Sequence, residues 1–276
     1  MNNSNLLWPG QKRVAVNFNT CLEAWSDGKA PGISPMGNPL PAGVLDNMAI
    51  SWAAYGYQRG IYRLLDAFEK HGIASSVLVN AVIAERAPEA VRAVFQGGHE
   101  VVSHSYAMDV IPVLLDEAAE KANIQRCVEL LEGASGAQVR GWLSPRGTPS
   151  ANTPRLLAEA GFVWYGDVFD QDLPYIQQAG GKTIVAIPLN TDVNDMPFMK
   201  YGAPPRQMLD SFMQNLEVAD ASGETCVIDV TNHAHIFGRP RGAYFYAQIM
   251  AEAVRSGAWI ATRAQVAAHV LAQGSQ

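Results

Sequence analysis

The sequence predicts an α/β fold of mostly parallel strands, wound into a closed or nearly closed (β/α) barrel, and three observations carry that prediction. Short Val- and Ile-rich runs alternate with amphipathic helical stretches along the chain, and every return to a parallel strand needs a crossover helix. Polar residues gather just after the strand-like runs, where folds of this kind bind their ligands. No shift in composition and no fixed-period repeat divides residues 1–276, which therefore read as a single domain.

The elements follow in order. Residues 13–18 (RVAVNF) form a buried strand, rich in Val and Phe and bounded by polar residues. Residues 19–46, with many Gly and Pro, read as a long loop at that strand's end. A connection of such length in a compact domain is usually functional. Over residues 59–70, Ile61, Leu64, Leu65 and Phe68 recur at helical spacing, and Gly72 supplies the stop. Strand and helix then alternate: strands at 75–79, 99–105, 138–143, 162–167, 183–188, 226–231 and 259–262, and helices at 88–95, 117–131, 153–160, 205–219, 243–255 and 263–271.

Composition narrows the function. Hydrophobic residues make up 48% of the 276 and charged ones 17%, against a typical charged share of about 25%. Disorder is excluded. A surface so short of charge implies a large core or burial against sister subunits, so a homo-oligomer is expected. A net charge of −6 provides no basic face for nucleic acid. No apolar run reaches the ~18 residues of a membrane span, and the first ten residues do not resemble a leader. Cys21, Cys127 and Cys226 form no close pair, which fits a reducing, cytoplasmic setting and a small-molecule substrate.

The strand-flanking polar residues are Asn19, Cys21 and Glu23; His104 and Asp109; Ser144 and Arg146; Asp167, Asp170 and Asp172; Asn190, Asp192, Asn194 and Asp195; and Asn232, His233 and His235. His99 stands at the start of its strand, on the opposite face, and reads as structural. His233 and His235 flank Ala234. In an extended segment both rings would lie on one face, able to move protons or hold a metal. Arg239, at a tight turn into a helix, reads as an anchor. Trp52, Tyr55, Tyr57, Tyr106, Trp142 and Tyr175 are candidate flat walls for a pocket, with Trp142 and Tyr175 the best placed beside the motifs.

Gly98-His99-Glu100-Val101-Val102-Ser103-His104, Gly141-Trp142 with Arg146, Asp172-Leu173-Pro174-Tyr175, Asn194-Asp195-Met196 and His233 through Pro240 together resemble the polysaccharide deacetylase superfamily. Within it, the chain is similar to the allantoinase-like branch that hydrolyses cyclic imides. The resemblance spans nearly the whole chain and implies the distorted (β/α) barrel of that superfamily. In its metal-dependent members an aspartate base and a metal-binding aspartate follow the first strand, and two histidines complete the metal site. Those positions read here as Asn19, Cys21, His104 and Met108. An amide is no base near neutral pH, and a thioether is a poor ligand for such metals. The allantoinase-like branch keeps a glutamate shortly after the first strand, matched here by Glu23.

The resemblance therefore implies a hydrolase that opens a C–N bond in a small cyclic imide, ureide or related ring, with no metal and no other cofactor. For that reaction Glu23 is expected to be the base that orients water, His233 the proton donor and His104 the group that positions water or the carbonyl. Arg146 and Asn194 are expected to clamp the planar substrate, Asp195 to orient Arg146 or His233, and Trp142, Tyr175 and His235 to complete the binding surface. Cys21 as a thiolate nucleophile is a rival route. Two alternatives stay open: a zinc-dependent N-deacetylase of a sugar or polysaccharide using Glu23, His104 and His233, and an inactive relative that only binds a ligand.

Overall fold

Nine residues, Val14–Leu22, form the strand β1 about which the sheet is organised. The computed structural model describes residues 6–32, 34–35, 40–41 and 43–274. The remaining strands are β2 (Ser76–Val79), β3 (Glu100–Ser103), β4 (Gly141–Trp142), β5 (Trp164–Tyr165), β6 (Tyr175–Ala179), β7 (Lys182–Ala186), β8 (Cys226–His233) and β9 (Trp259–Ile260). Around them lie α1 (Asn47–Tyr55), α2 (Ile61–His71), α3 (Val82–Arg86), α4 (Pro88–Gln96), α5 (Glu117–Ser135), α6 (Thr153–Glu159), α7 (Asp195–Lys200), α8 (Arg206–Ser222), α9 (Pro240–Ser256) and α10 (Arg263–Gly274).

The strands run in the order β6-β7-β5-β4-β3-β2-β1-β8, with β9 pairing the first half of β1. Every pairing is parallel except the β6–β7 hairpin. That hairpin turns through Gly180 and Gly181 at φ 60° and 75°, a region open to glycine without steric penalty. It was not foreseen, because Tyr175-Ile-Gln-Gln-Ala lacks the apolar content of a buried strand. Among the described residues no ladder joins β8 back to β6 or β7, so the barrel is a half-barrel open at that seam.

Two other departures from expectation matter. The first strand continues to Leu22, so the loop begins at Glu23, and Asn19 and Cys21 lie within the strand. Their polarity reads as a strand end, yet Asn19 is 1% exposed and fully engaged by side chains from β8 and α10. The helices α1, α3 and α7 were also not foreseen, two of them being short.

The main core lies between the sheet and its helices. Phe18 of β1, Phe68 of α2 and Tyr246 of α9 meet edge-on with ring centroids 5.8–6.1 Å apart, the geometry aromatic pairs prefer. Ile61, Leu64 and Phe68 form the buried stripe of α2, which ends at Gly72 with φ 64°. The three cysteines carry free thiols. No helix among the described residues is long and apolar enough to cross a membrane.

Between α1 and α2 the chain makes a π-helical turn, Gly56–Gly60, a feature often associated with functional sites. Here it makes room for the segment that follows β8. A Cβ at Gly60 or at Gly238 would run into the carbonyl oxygen of Ala234, and one at Gly56 would sit 3.2 Å from the backbone nitrogen of His235. Backbone therefore lies on backbone directly behind the His233-Ala234-His235 turn. Gly60→Ala should destabilise the protein, since overpacking against immovable backbone costs ~1–3 kcal/mol. We expect a melting temperature lower by several degrees in thermal denaturation, whereas an unchanged or raised value would contradict the packing.

Candidate active site

A cavity of about 620 Å³ opens at the carboxyl ends of β1, β3 and β8, lined by residues that include Glu23, His104, His233 and His235. The parallel register of β1 against β8 sets Cys21 opposite His233 and Asn19 opposite Thr231. Glu23 follows β1 directly, and its loop is clamped by Asn80. The Asn80 side chain accepts from Ala24 N–H at 3.0 Å and donates to the carbonyl of His104, while its own N–H reaches Leu22 O at 3.1 Å. One buried amide thus fixes Glu23 and His104 relative to each other. Sequence reading missed it, since a lone Asn after a strand carries no motif.

Three imidazoles surround the Glu23 carboxylate. His233 Nε2 is 3.4 Å and His104 Nε2 3.7 Å from Oε1, and His235 Nε2 is 3.9 Å from Oε2. Each of the first two rings is held from behind. His104 Nδ1 bonds to the carbonyl of Leu143 at 2.6 Å, and His233 Nδ1 to Asp195 Oδ1 at 2.6 Å. Carbonyl and carboxylate only accept, so both Nδ1 atoms carry hydrogen and both Nε2 atoms face Glu23. Asp195 also accepts the His233 backbone N–H at 2.8 Å. Asp195 thus acts on His233 and not on Arg146.

Burial alone would push the Glu23 carboxyl up, but the His233 imidazole and hydrogen bonds from His104 and His233 outweigh it and hold the group well below the usual carboxylate range. His233 moves the opposite way. Burial opposes its charge, yet Cys21, Glu23 and Asp195 around it raise it well above 6.5. The pair is thus an ionised carboxylate against an imidazolium at neutral pH. His235, buried and without a bonding partner at either nitrogen, is lowered to about 4 by desolvation and stays neutral. Burial likewise raises the Cys21 thiol, with His233 opposing and Glu23 adding to the rise. A thiol kept protonated is a weak nucleophile, which counts against the Cys21 route.

The floor of the cavity was not visible in the sequence. Arg263, at the start of α10 and 0% exposed, bonds to Asp229 Oδ2 at 2.5 Å, Asn19 Oδ1 at 3.0 Å and Ile187 O at 3.2 Å. Asn19 Nδ2 in turn donates to Asp229 and Thr231 at 3.1 and 3.3 Å. With its oxygen on Arg263 and its nitrogen on Asp229, Asn19 has no role left as base or ligand.

The other expected residues divide. Arg146 lines the cavity from a turn where its own φ is 61°, an uncommon left-handed conformation for a residue with a side chain. Asp167 braces that turn by accepting from the N–H and Oγ of Ser144, both at 2.6 Å, and burial raises its carboxyl to about 6. Asn194 caps α7 through its Oδ1 and also lines the cavity. Two expectations fail. Trp142 is fully buried in the sheet–helix core, edge-on to Phe162 at 5.9 Å, because its position on β4 points it to the helices instead of the barrel interior. Tyr175, on the unforeseen β6, bonds to Asp170 outside the cavity. The aromatic walls are instead Trp25, Trp52 and Phe169. Arg239 stacks on Tyr55 at 4.1 Å and donates to the carbonyl of His235, the anchoring role its sequence context implies. His99 accepts from Ser75 N–H at 3.0 Å, away from the site.

The donors present fit a zinc-type ion at one place. Cys21 Sγ, a Glu23 oxygen and a His233 nitrogen all lie within 4.8 Å of one another. Thiolate, carboxylate and imidazole are zinc's donor types, and Asp195 supports the imidazole as outer-shell carboxylates do.

The family model for polysaccharide deacetylase matches residues 54–165. A Schizosaccharomyces pombe relative that bears the polysaccharide deacetylase name is 26% identical, over 94% of this chain and 91% of its own. A crystal structure of a probable polysaccharide deacetylase from Pseudomonas aeruginosa superposes with TM-score 0.85 at 27% identity, covering 95% of this chain and 92% of that one. The matched stretch and the fold are thus similar to those of the polysaccharide deacetylase type. Within that type the resemblance extends to PuuE allantoinase, at TM-score 0.85 and 26% identity over 95% of this chain and 91% of that structure.

In Asp195→Asn, the loss of the carboxylate should bring the titration of the His233 ring down toward 6.5 from its raised position. NMR titration of the ring nitrogens measures this directly. A His233 that already titrates at 6.5 in the unaltered protein would refute the buried ion pair.

Proposed function

We propose that the protein is a cytoplasmic amidohydrolase that opens a C–N bond in a small cyclic imide or ureide, without a metal. The observation that carries this reading is the Glu23–His233–Asp195 chain, with spacings of 3.4 and 2.6 Å, at a cavity walled largely by apolar side chains. A carboxylate held ionised beside an imidazolium is a base and an acid set side by side.

In this mechanism Glu23 takes a proton from water as the water oxygen attacks a ring carbonyl. His104, whose Nε2 faces Glu23 while its Nδ1 is held by the carbonyl of Leu143, positions that water. The Nδ2 of Asn194, whose Oδ1 is committed to capping α7, and the Arg146 guanidinium steady the carbonyl oxygens as charge builds on them. As the tetrahedral intermediate collapses, His233 passes its Nε2 proton to the departing ring nitrogen, and Glu23 returns its proton to His233. The carbonyl becomes a carboxyl group and the ring is open. An imide or ureide nitrogen delocalises the negative charge that builds on it as the bond breaks, which lowers the demand on the catalyst. An N-acetyl sugar offers no such help.

A second reading, a metal-dependent N-deacetylase, rests on the Cys21, Glu23 and His233 donors. An ion held there would supply Lewis-acid polarisation of the carbonyl. Exposed Val44, Leu45 and Met48, leading into α1, support a homo-oligomer, and sedimentation as a monomer would overturn that.

Glu23→Gln should lose ~10²–10⁴-fold in kcat, the usual worth of a positioned base, with the fold intact by circular dichroism. Hydrolysis of succinimide, maleimide, hydantoin, allantoin and dihydropyrimidines, followed with metal analysis, tests the reading as a whole. Ring opening at undiminished rate in chelator-treated, metal-free protein is the expected outcome. Stoichiometric zinc lost together with activity would favour the second reading, and a silent panel a relative that only binds.

A further inference from the structure

The cavity is larger than its proposed chemistry needs. At about 620 Å³ it falls in the ~300–1,000 Å³ range that encloses drug-sized ligands, whereas a bare imide ring would leave much of it to water. The polar groups are concentrated around Glu23, and the surplus volume is bounded by apolar rings. One wall is Trp25 and Trp52, and another is Phe169, which with Leu189 lies where a Cβ on Gly147 would touch it. Such a shape is matched by an apolar group attached to the ring.

One polar residue stands at the junction. His235 is 0% exposed, and neither of its nitrogens has a partner. Buried polar atoms in native proteins nearly always have partners, so an unengaged imidazole facing a cavity marks a place where a ligand bonds. Its Nε2 is 3.9 Å from Glu23, and its ring is edge-on to Trp52 at 4.5 Å and to Trp25 at 6.3 Å. A ring opened at Glu23 would set a further carbonyl or N–H against His235, and a substituent beyond it would stack on the two indoles.

Resting on the ring-opening reading above, we propose that the substrate is a cyclic imide or ureide bearing an aryl or bulky alkyl substituent, bonded to His235 and seated against Trp25 and Trp52. The geometry makes His235 and Trp25 determinants of specificity, additional to the residues that carry the reaction.

The test is kcat/KM for succinimide against phenylsuccinimide, and for hydantoin against 5-phenylhydantoin. The expected preference for the phenyl-bearing ring is tenfold or more, in line with the ~10–200-fold that apolar pocket contacts confer. In Trp25→Ala that ratio should fall at least tenfold, mostly through a higher KM for the phenyl compound. If Trp25→Ala does not fold, Trp25→Leu, which keeps apolar bulk but removes the indole face, serves the same purpose. Bare rings opened as fast as substituted ones, or variants that slow both alike, would overturn the substituent site while leaving the ring-opening reading standing. A protein that opens none of these rings would overturn both.

Discussion

A carboxylate removed from water must be compensated, and the arrangement of this site follows from how Glu23 meets that demand. Its burial alone would favour the neutral acid, and the opposing groups are imidazoles brought from two other strand ends, His104 after β3 and His233 and His235 at the end of β8. Only a sheet in which β1, β3 and β8 end at one level can deliver them. The compensation also sets the chemistry. Because His233 and Glu23 charge each other, the site holds a base and an acid in their working states without drawing either from solvent. Asp195 completes the chain by fixing which nitrogen of His233 faces inward.

Beneath this lies a second buried ion pair with a different purpose. Arg263 and Asp229 are almost wholly excluded from water and share Asn19 between them. A buried pair contributes little net stability over an apolar substitute, although losing one partner costs several kcal/mol. What the pair determines is orientation, for both ends of the Asn19 amide are occupied. An aspartate in that place would bring one more negative charge beside Asp229. An asparagine here is therefore consistent with the network around it, and a carboxylate in its place would disturb the floor.

Much of the fold was legible because its signals are local. The stripe Ile61, Leu64, Phe68 and the stop at Gly72 depend on neighbours within two turns, and the βα alternation needs no long-range information. Glu23, His104, His233, His235 and Asn194 were legible as polar residues at strand ends, and the structure brings them to one cavity. What escaped was what depends on the third dimension. Arg263 is 244 residues from Asn19, and a lone arginine at a helix start usually points to water. Trp142 looked like a pocket wall because it sits in a motif, but a two-residue strand gives no alternation from which to read its face. Gly60 and Gly238 look ordinary until their backbones are seen against Ala234.

The two chemistries open to this site compete for one atom. The general-acid role needs a proton on His233 Nε2, since Nδ1 is committed to Asp195. A metal held by Cys21, Glu23 and His233 needs the lone pair of that same nitrogen, and a deprotonated Cys21 besides. Burial opposes the thiolate, and the Glu23 contact favours the imidazolium. Both terms act on protons that a metal would have to displace, so the electrostatics that make His233 a good acid also make it a reluctant ligand. The choice between the readings is thus a competition between a proton and a cation for His233. Its balance is set by side chains that the β1–β8 register holds beside it.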